Sequence, residues 1–172
     1  METQIKVKGH AASLDDAAFE KMLAGLPLRT YRAGETVLTA GSNTDQLLVL
    51  KTGEVAIVKD SIEIARVNEP GAVIGELSAL LGQPHTADVQ ALVDSQFHVA
   101  DRGLIAKDPV ALLHVAKILA RRLIAADSGL VELKKQLNAG HSPSGLSQIV
   151  TKIEEILNSA MTKTKHPIGR YY

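Results

Sequence analysis

The chain has 172 residues, of which 45% are hydrophobic and 22% charged, and its 19 Lys and Arg balance 19 Asp and Glu. That size suits one domain, or one domain with an appendage, around a real core. The zero net charge lacks the basic excess usual in chains that grip duplex DNA or an acidic membrane. With no cysteine, disulfides, thiolate metal sites and cysteine nucleophiles are excluded. No apolar run reaches the roughly 20 residues of a membrane helix, and residues 1–6 lack the apolar stretch of a signal peptide. A soluble, cytoplasmic protein is expected.

Along the chain, Leu14, Ala18, Met22 and Leu26 recur at four-residue intervals after Ser13, which predicts an N-terminal helix. Short, near-alternating apolar runs follow at 28–32, 36–39, 46–51, 54–59, 62–67, 86–92 and 95–100, separated by Gly, Asn, Asp and Pro. Regular short strands with such turn chemistry predict an antiparallel barrel or jelly roll. From residue 110 the chain turns helical. Leu112, Ala116, Leu119, Leu123, Ala126, Leu130, Leu133 and Leu137 step by four and three, a coiled-coil seam that starts near Pro109 and stops at Asn138-Ala139-Gly140. After a break at 141–145, Leu146, Ile149, Val150, Ile153, Ile156, Leu157 and Ala160 predict a second amphipathic helix. The fold class expected is α+β: an eight-stranded antiparallel jelly-roll barrel, an N-terminal helix, a long C-terminal helix and one extra helix. The expected domain runs over 14–139, the extra helix over 143–162, with flexible termini at 1–13 and 163–172.

The stretch Gly75-Glu76-Leu77-Ser78-Ala79-Leu80-Leu81-Gly82-Gln83-Pro84-His85-Thr86-Ala87-Asp88-Val89 interrupts the strands with helix formers too few for a scaffold helix. A short helix there turns free N–H groups toward the strands, chemistry that suits an anion. Glu76 would accept hydrogen bonds from sugar hydroxyls and oppose a phosphate placed beside it.

The order Ala33-Gly34-Glu35, Gly53-Glu54-Val55, Gly75-Glu76-Leu77 and Pro84-x-Thr86-Ala87-x-Val89 resembles the cyclic nucleotide-binding domain. This is the sensor module of Crp/Fnr-type regulators, cyclic-nucleotide-dependent kinases and gated channels. Ala120-Arg121-Arg122-Leu123 looks like the run in the C-helix of the bacterial members, and the resemblance spans about residues 14–136. It implies that Glu76 holds a ribose 2′-hydroxyl, that Gly75 allows close backbone approach, and that Leu77 and Ser78 face the ligand with their amides. It places Thr86 beside the cyclic phosphate, and Ala126, Asp127 and Ser128 where some relatives cap the base. The ligand-binding set implied is Gly75, Glu76, Leu77, Ser78, His85, Thr86 and Ala87, with cAMP or cGMP as ligand and no cofactor.

Two residues depart from the family pattern. His85 stands where an arginine pairs the phosphate; histidine is shorter, mostly neutral at pH 7, and cannot make a bidentate pair. Asp88 places an acid where Ser or Thr is usual. Each feature also has a plainer reading: Glu76 as the first residue of a short helix, His85 as a turn histidine, Thr86 as a strand residue, and Arg121-Arg122 and Lys134-Lys135 as solvated helix faces.

Catalysis finds little support. The histidines (His10, His85, His98, His114, His141 and His166) show no metal-ligand spacing. The enzymatic alternative, a cupin-like metalloprotein, would have only His85, His98 and Glu76 to draw on. The residues after His141 are too few for a helix-turn-helix, so direct DNA binding is not expected. A homodimer through the long helix is expected, with a protein partner regulated in trans as an option. A module of the same fold that binds no nucleotide and serves interaction is the remaining alternative.

Overall fold

The computed structural model describes residues 14–138 together with 150, 151 and 155. Helix α1 (Leu14–Ala24) leads into β1 (Leu28–Tyr31), β2 (Thr36–Leu38), β3 (Gln46–Thr52), β4 (Val55–Lys59), β5 (Ile62–Val67) and β6 (Val73–Ile74). Helix α2 (Glu76–Leu81), β7 (Asp88–Ala91), β8 (Ser95–Asp101), α3 (Arg102–Lys107) and α4 (Pro109–Asn138) complete the order. The helix expected at 143–162 and the termini at 1–13 and 163–172 lie outside the described residues, apart from helical backbone at Val150, Thr151 and Glu155.

The strands form two four-stranded antiparallel sheets, ordered β1-β8-β3-β6 and β2-β7-β4-β5. Alternation explains their stacking. Leu48, Leu50, Phe97 and Val99 of the first sheet meet Val55, Ile57, Val67, Val89 and Ala91 of the second in one core. Leu47, Val49, Val73 and Ala100 point to the other face of the first sheet. There Phe19 and Leu23 of α1, Ile105 of α3, and Val115 and Ile118 of α4 cover them. Strand β3 is thus buried on both faces, which is why 47–50 is an unbroken apolar run rather than an alternating one. Helices lie on one sheet only, so the architecture is a helix-covered sandwich.

Tight turns need two glycines in particular. Gly53 has φ 109°, and a Cβ there would lie 2.2 Å from Ser95 Oγ. Ser95 is itself fully buried and accepts the Glu54 amide at 3.2 Å. The other is Gly75, with φ 81°.

The structure redraws three sequence expectations. The buried face of α1 is Phe19 and Leu23, one residue on from the predicted Ala18–Met22 stripe; Ala18 is exposed because the helix must turn Phe19 onto His114 of α4, rings stacked at 3.6 Å. Strand β6 and helix α3 were not predicted, since two and six residues are too short to show a period. Helix α3 is nonetheless well specified: Asp101 caps it by accepting the Leu104 amide at 2.8 Å. The third concerns α4. It packs inward through Ala111, Val115, Ile118 and Ala125, and the predicted seam is divided: Leu119 packs on the same core, and Ala126 turns toward α2 and the second sheet. Leu123 and Leu130 are each 64% exposed, and Leu112 is exposed too. Two apolar stripes run along this helix, and the sandwich uses mainly the one with fewer leucines.

Candidate functional site

Helix α2 is a six-residue insertion between β6 and β7, fixed at both ends by left-handed glycines, Gly75 (φ 81°) and Gly82 (φ 65°). A side chain at Gly75 would be strained and crowded: its Cβ would lie 2.9 Å from the Gln46 carbonyl and 3.4 Å from His85 Cε1. This close approach seats the start of α2 against the first sheet and turns Glu76, Ser78 and Ala79 inward.

Glu76, Ser78 and residues 85–87 help enclose a cleft of about 330 Å³. It opens between α2, the inner face of the second sheet and α4, and all seven residues of the expected set line it. Its walls are otherwise mostly apolar, among them Leu38, Ile57, Ile64 and Val89.

The β2–β3 loop holds both sides of the cleft together. Ser78 Oγ donates to Asn43 Oδ1 at 3.0 Å. The His85 amide donates to the Ser42 carbonyl and the Gly41 amide to the His85 carbonyl, both at 2.8 Å. Thr44 Oγ1 and His85 Nε2 share a hydrogen bond of 2.9 Å. His85 is buried, and burial pushes its pKa below the usual histidine value, with Glu76 partly opposing. It is a neutral ring at pH 7, tied to the loop.

The decisive group comes from elsewhere. Arg122, from the middle of α4, donates through one terminal nitrogen to Glu76 Oε1 and through the other to the Val73 carbonyl at 2.5 Å. Both partners of the ion pair are largely buried, Glu76 being only 6% exposed. Arg122 Nε is buried with no hydrogen-bond partner among the described residues. A carboxylate, a guanidinium and a short helix at an apolar cleft can bind a neutral or singly charged hydroxylated ring compound. Among the described residues no cluster of three His, Cys, Asp or Glu could hold a metal. His98 lies on β8, paired with Val49 of β3, and is absent from the cleft lining, so the cupin set is not assembled.

Sequence comparison matches the cyclic nucleotide-binding domain over residues 28–107. This segment is a cyclic nucleotide-binding domain. Over 73 residues, 42% of this chain, it is 37% identical to the cGMP-dependent protein kinase egl-4 of Caenorhabditis briggsae, of which the match spans 10%. A cyclic nucleotide-binding domain from Methylobacillus flagellatus superposes with a TM-score of 0.55 at 28% identity, covering 69% of this chain and 72% of that one. The catabolite activator protein of Thermus thermophilus shares the fold, with a TM-score of 0.61 at 22% identity over 87% of this chain and 83% of that one.

At the cleft, three sequence readings change. Arg122 is not a solvated face; α4 turns it inward onto Glu76. The Ala120–Leu123 run carried the signal, but a double arginine on a helix reads first as surface. Asp88 adds no charge to the cleft lining: its Oδ1 accepts the Ala40 amide at 2.7 Å, so the acid staples β7 to the β2–β3 loop. Strand alternation sends Ala87 and Val89 to the cleft and Asp88 away. Of the weak base-capping trio, Ala126 lines the cleft, whereas Asp127 and Ser128 do not, and Ser128 donates to the Ile124 carbonyl of its own helix. Asn43 and Thr44 carried no sequence signal, because loop side chains that brace a site leave no period.

Proposed function

We propose that this chain is a ligand-sensing regulatory module, non-catalytic and cytoplasmic, whose cleft receives a cyclic nucleotide such as cAMP or cGMP. The observation that carries the reading is the Glu76–Arg122 pair, which ties the ligand-contacting helix α2 to the long helix α4 across the cleft. The family membership of residues 28–107 supports Glu76 as the ribose acceptor.

In this mechanism a ribose hydroxyl donates to Glu76 and competes with Arg122 for the same carboxylate oxygen. Once that oxygen is shared, α4 loses part of what holds it at the cleft, and the populations of α4 positions shift by the difference in ligand affinity between them. Gly75 supplies the close backbone approach, Leu77, Ser78 and Ala87 the walls, and Thr86 a hydroxyl at the lip. The outward apolar face of α4, with Leu112, Leu123 and Leu130 exposed, is the output surface. It joins a second copy of the chain as a homodimer, or a protein partner acting in trans. No direct DNA contact and no membrane contact are part of this reading; no described helix is long and apolar enough to cross a membrane.

Calorimetric titration of the wild-type chain with cAMP and cGMP, beside Glu76→Gln, tests the proposal. Saturable binding that Glu76→Gln abolishes is the expected result; an unchanged affinity in that variant would remove Glu76 from the site. A second reading, an interaction module that binds no nucleotide, is favoured by two features: Arg122 already pairs with Glu76, and His85 stands where the family pattern has an arginine. Absence of binding by either nucleotide in wild type and in His85→Arg would select it.

A further inference from the structure

Resting on the sensor reading above, we infer that the cleft prefers an uncharged nucleoside to the cyclic nucleotide built on it. The charges around the cleft already balance. Its lining holds one carboxylate, Glu76, and one guanidinium, Arg122, joined to each other. A neutral ligand leaves that balance intact. A cyclic monophosphate brings a negative charge into a mostly apolar cleft whose lining, among the described residues, holds no second cation.

Neither basic residue at the cleft is free to take that charge. Arg122 holds Glu76 with one terminal nitrogen and the Val73 carbonyl with the other, and its Nε–H is buried without a partner among the described residues. A two-pronged grip on phosphate would draw those terminal nitrogens off Glu76 and leave its buried carboxylate uncompensated. His85 is buried and tied to Thr44 through Nε2 and to the Gly41–Ser42 backbone through its own amide and carbonyl. It is held as part of the wall.

The hydroxyl count points the same way. An ionised carboxylate only accepts hydrogen bonds, so Glu76 calls for donors. A 3′,5′-cyclic nucleotide has esterified its 3′ and 5′ oxygens and offers a single ribose hydroxyl. A nucleoside keeps all three, and its vicinal 2′,3′-diol can donate twice to the carboxylate beside Arg122 while the ion pair stays in place. The 5′-hydroxyl is a neutral donor and acceptor that suits Thr86 at the exposed lip. Leu38, Ile57 and Val89 provide the flat apolar surface for a base.

Calorimetric titration of the full chain with adenosine, guanosine, cAMP and cGMP at pH 7.5 or above tests this. The expected result is a Kd at least about tenfold lower for a nucleoside than for its own cyclic nucleotide, the size of one missing charge-assisted hydrogen bond. 3′-Deoxyadenosine should lose most of that advantage. In His85→Arg, with folding checked by circular dichroism, the order should narrow or invert. A wild type that binds cAMP or cGMP more tightly than the matching nucleoside would overturn the inference and leave the sensor reading standing. Silence toward all four compounds would overturn both.

Discussion

Glu76 at the start of α2 and Arg122 in the middle of α4, 46 residues apart in sequence, are joined by an ion pair at the cleft of the domain. One end belongs to the helix that lines the cleft, the other to the helix that carries the exposed Leu123 and Leu130. Because the pair is largely buried, it couples the two more strongly than a surface ion pair would.

Removing one partner should therefore be costly. Arg122→Ala is expected to lower unfolding stability by about 3–5 kcal/mol, since a buried carboxylate is left uncompensated. Glu76→Leu with Arg122→Met should lose markedly less than either single change. Urea unfolding of the three variants and the wild type checks this, and additive losses would mean the pair is not coupled.

The pH dependence follows from two histidines, His85, which is buried, and His98, which is half-buried. Burial lowers the pKa of His85, partly opposed by Glu76; burial first and Lys51 second lower that of His98. A histidine depressed in the folded state binds its proton more readily when unfolded. Its contribution is therefore full above the unfolded value of about 6.5 and is lost as the pH falls through the folded value. The urea midpoint should fall between pH 7.5 and pH 5. The fall should be smaller in His85→Gln, and smaller again with His98→Gln added. Equal slopes in wild type and double variant would contradict this origin.

Asp88 should matter to the frame and not to the ligand. Asp88→Ala removes the acceptor of the Ala40 amide and is expected to cost about 1 kcal/mol in stability. Ligand affinity should move less than about threefold. A tenfold gain on removing this acid would show that its charge reaches the cleft.

The outward stripe of α4 gives a separate prediction. Leu123→Glu with Leu130→Glu should leave stability within about 0.5 kcal/mol, because both side chains are solvated in the single chain. If the stripe joins two copies, sedimentation should show the wild type as a dimer and the variant as a monomer. A wild type that stays monomeric at high concentration would leave the stripe to another partner.

Much of this was legible in the sequence. Regular short strands between turn residues announced the antiparallel sheets, and the Gly75–Val89 motif placed every expected ligand-set residue around one cleft. The long helix was visible too, but its inner face was not. Ala111, Val115, Ile118 and Ala125 are smaller and β-branched residues, and a stripe of leucines beside them dominates any count of periodicity. Arg122 was misread for a related reason: local pattern cannot tell which of two adjacent arginines a helix turns inward. Asp88 was misplaced in effect because alternation fixes faces only once the register is known, and β7 begins at that residue. The bracing by Asn43 and Thr44 depends on a loop meeting α2 and residue 85 in space, which no short-range pattern encodes.

The most direct test of the central claim is the Arg122 side-chain Nε–H resonance in a proton–nitrogen correlation spectrum, followed while guanosine and cGMP are added in turn. The account predicts a saturable shift with either compound that binds, accompanied by shifts in the α4 amides around residue 122 and absent in Glu76→Gln. A ligand-saturated protein whose Arg122 and α4 resonances stay where they began would contradict it.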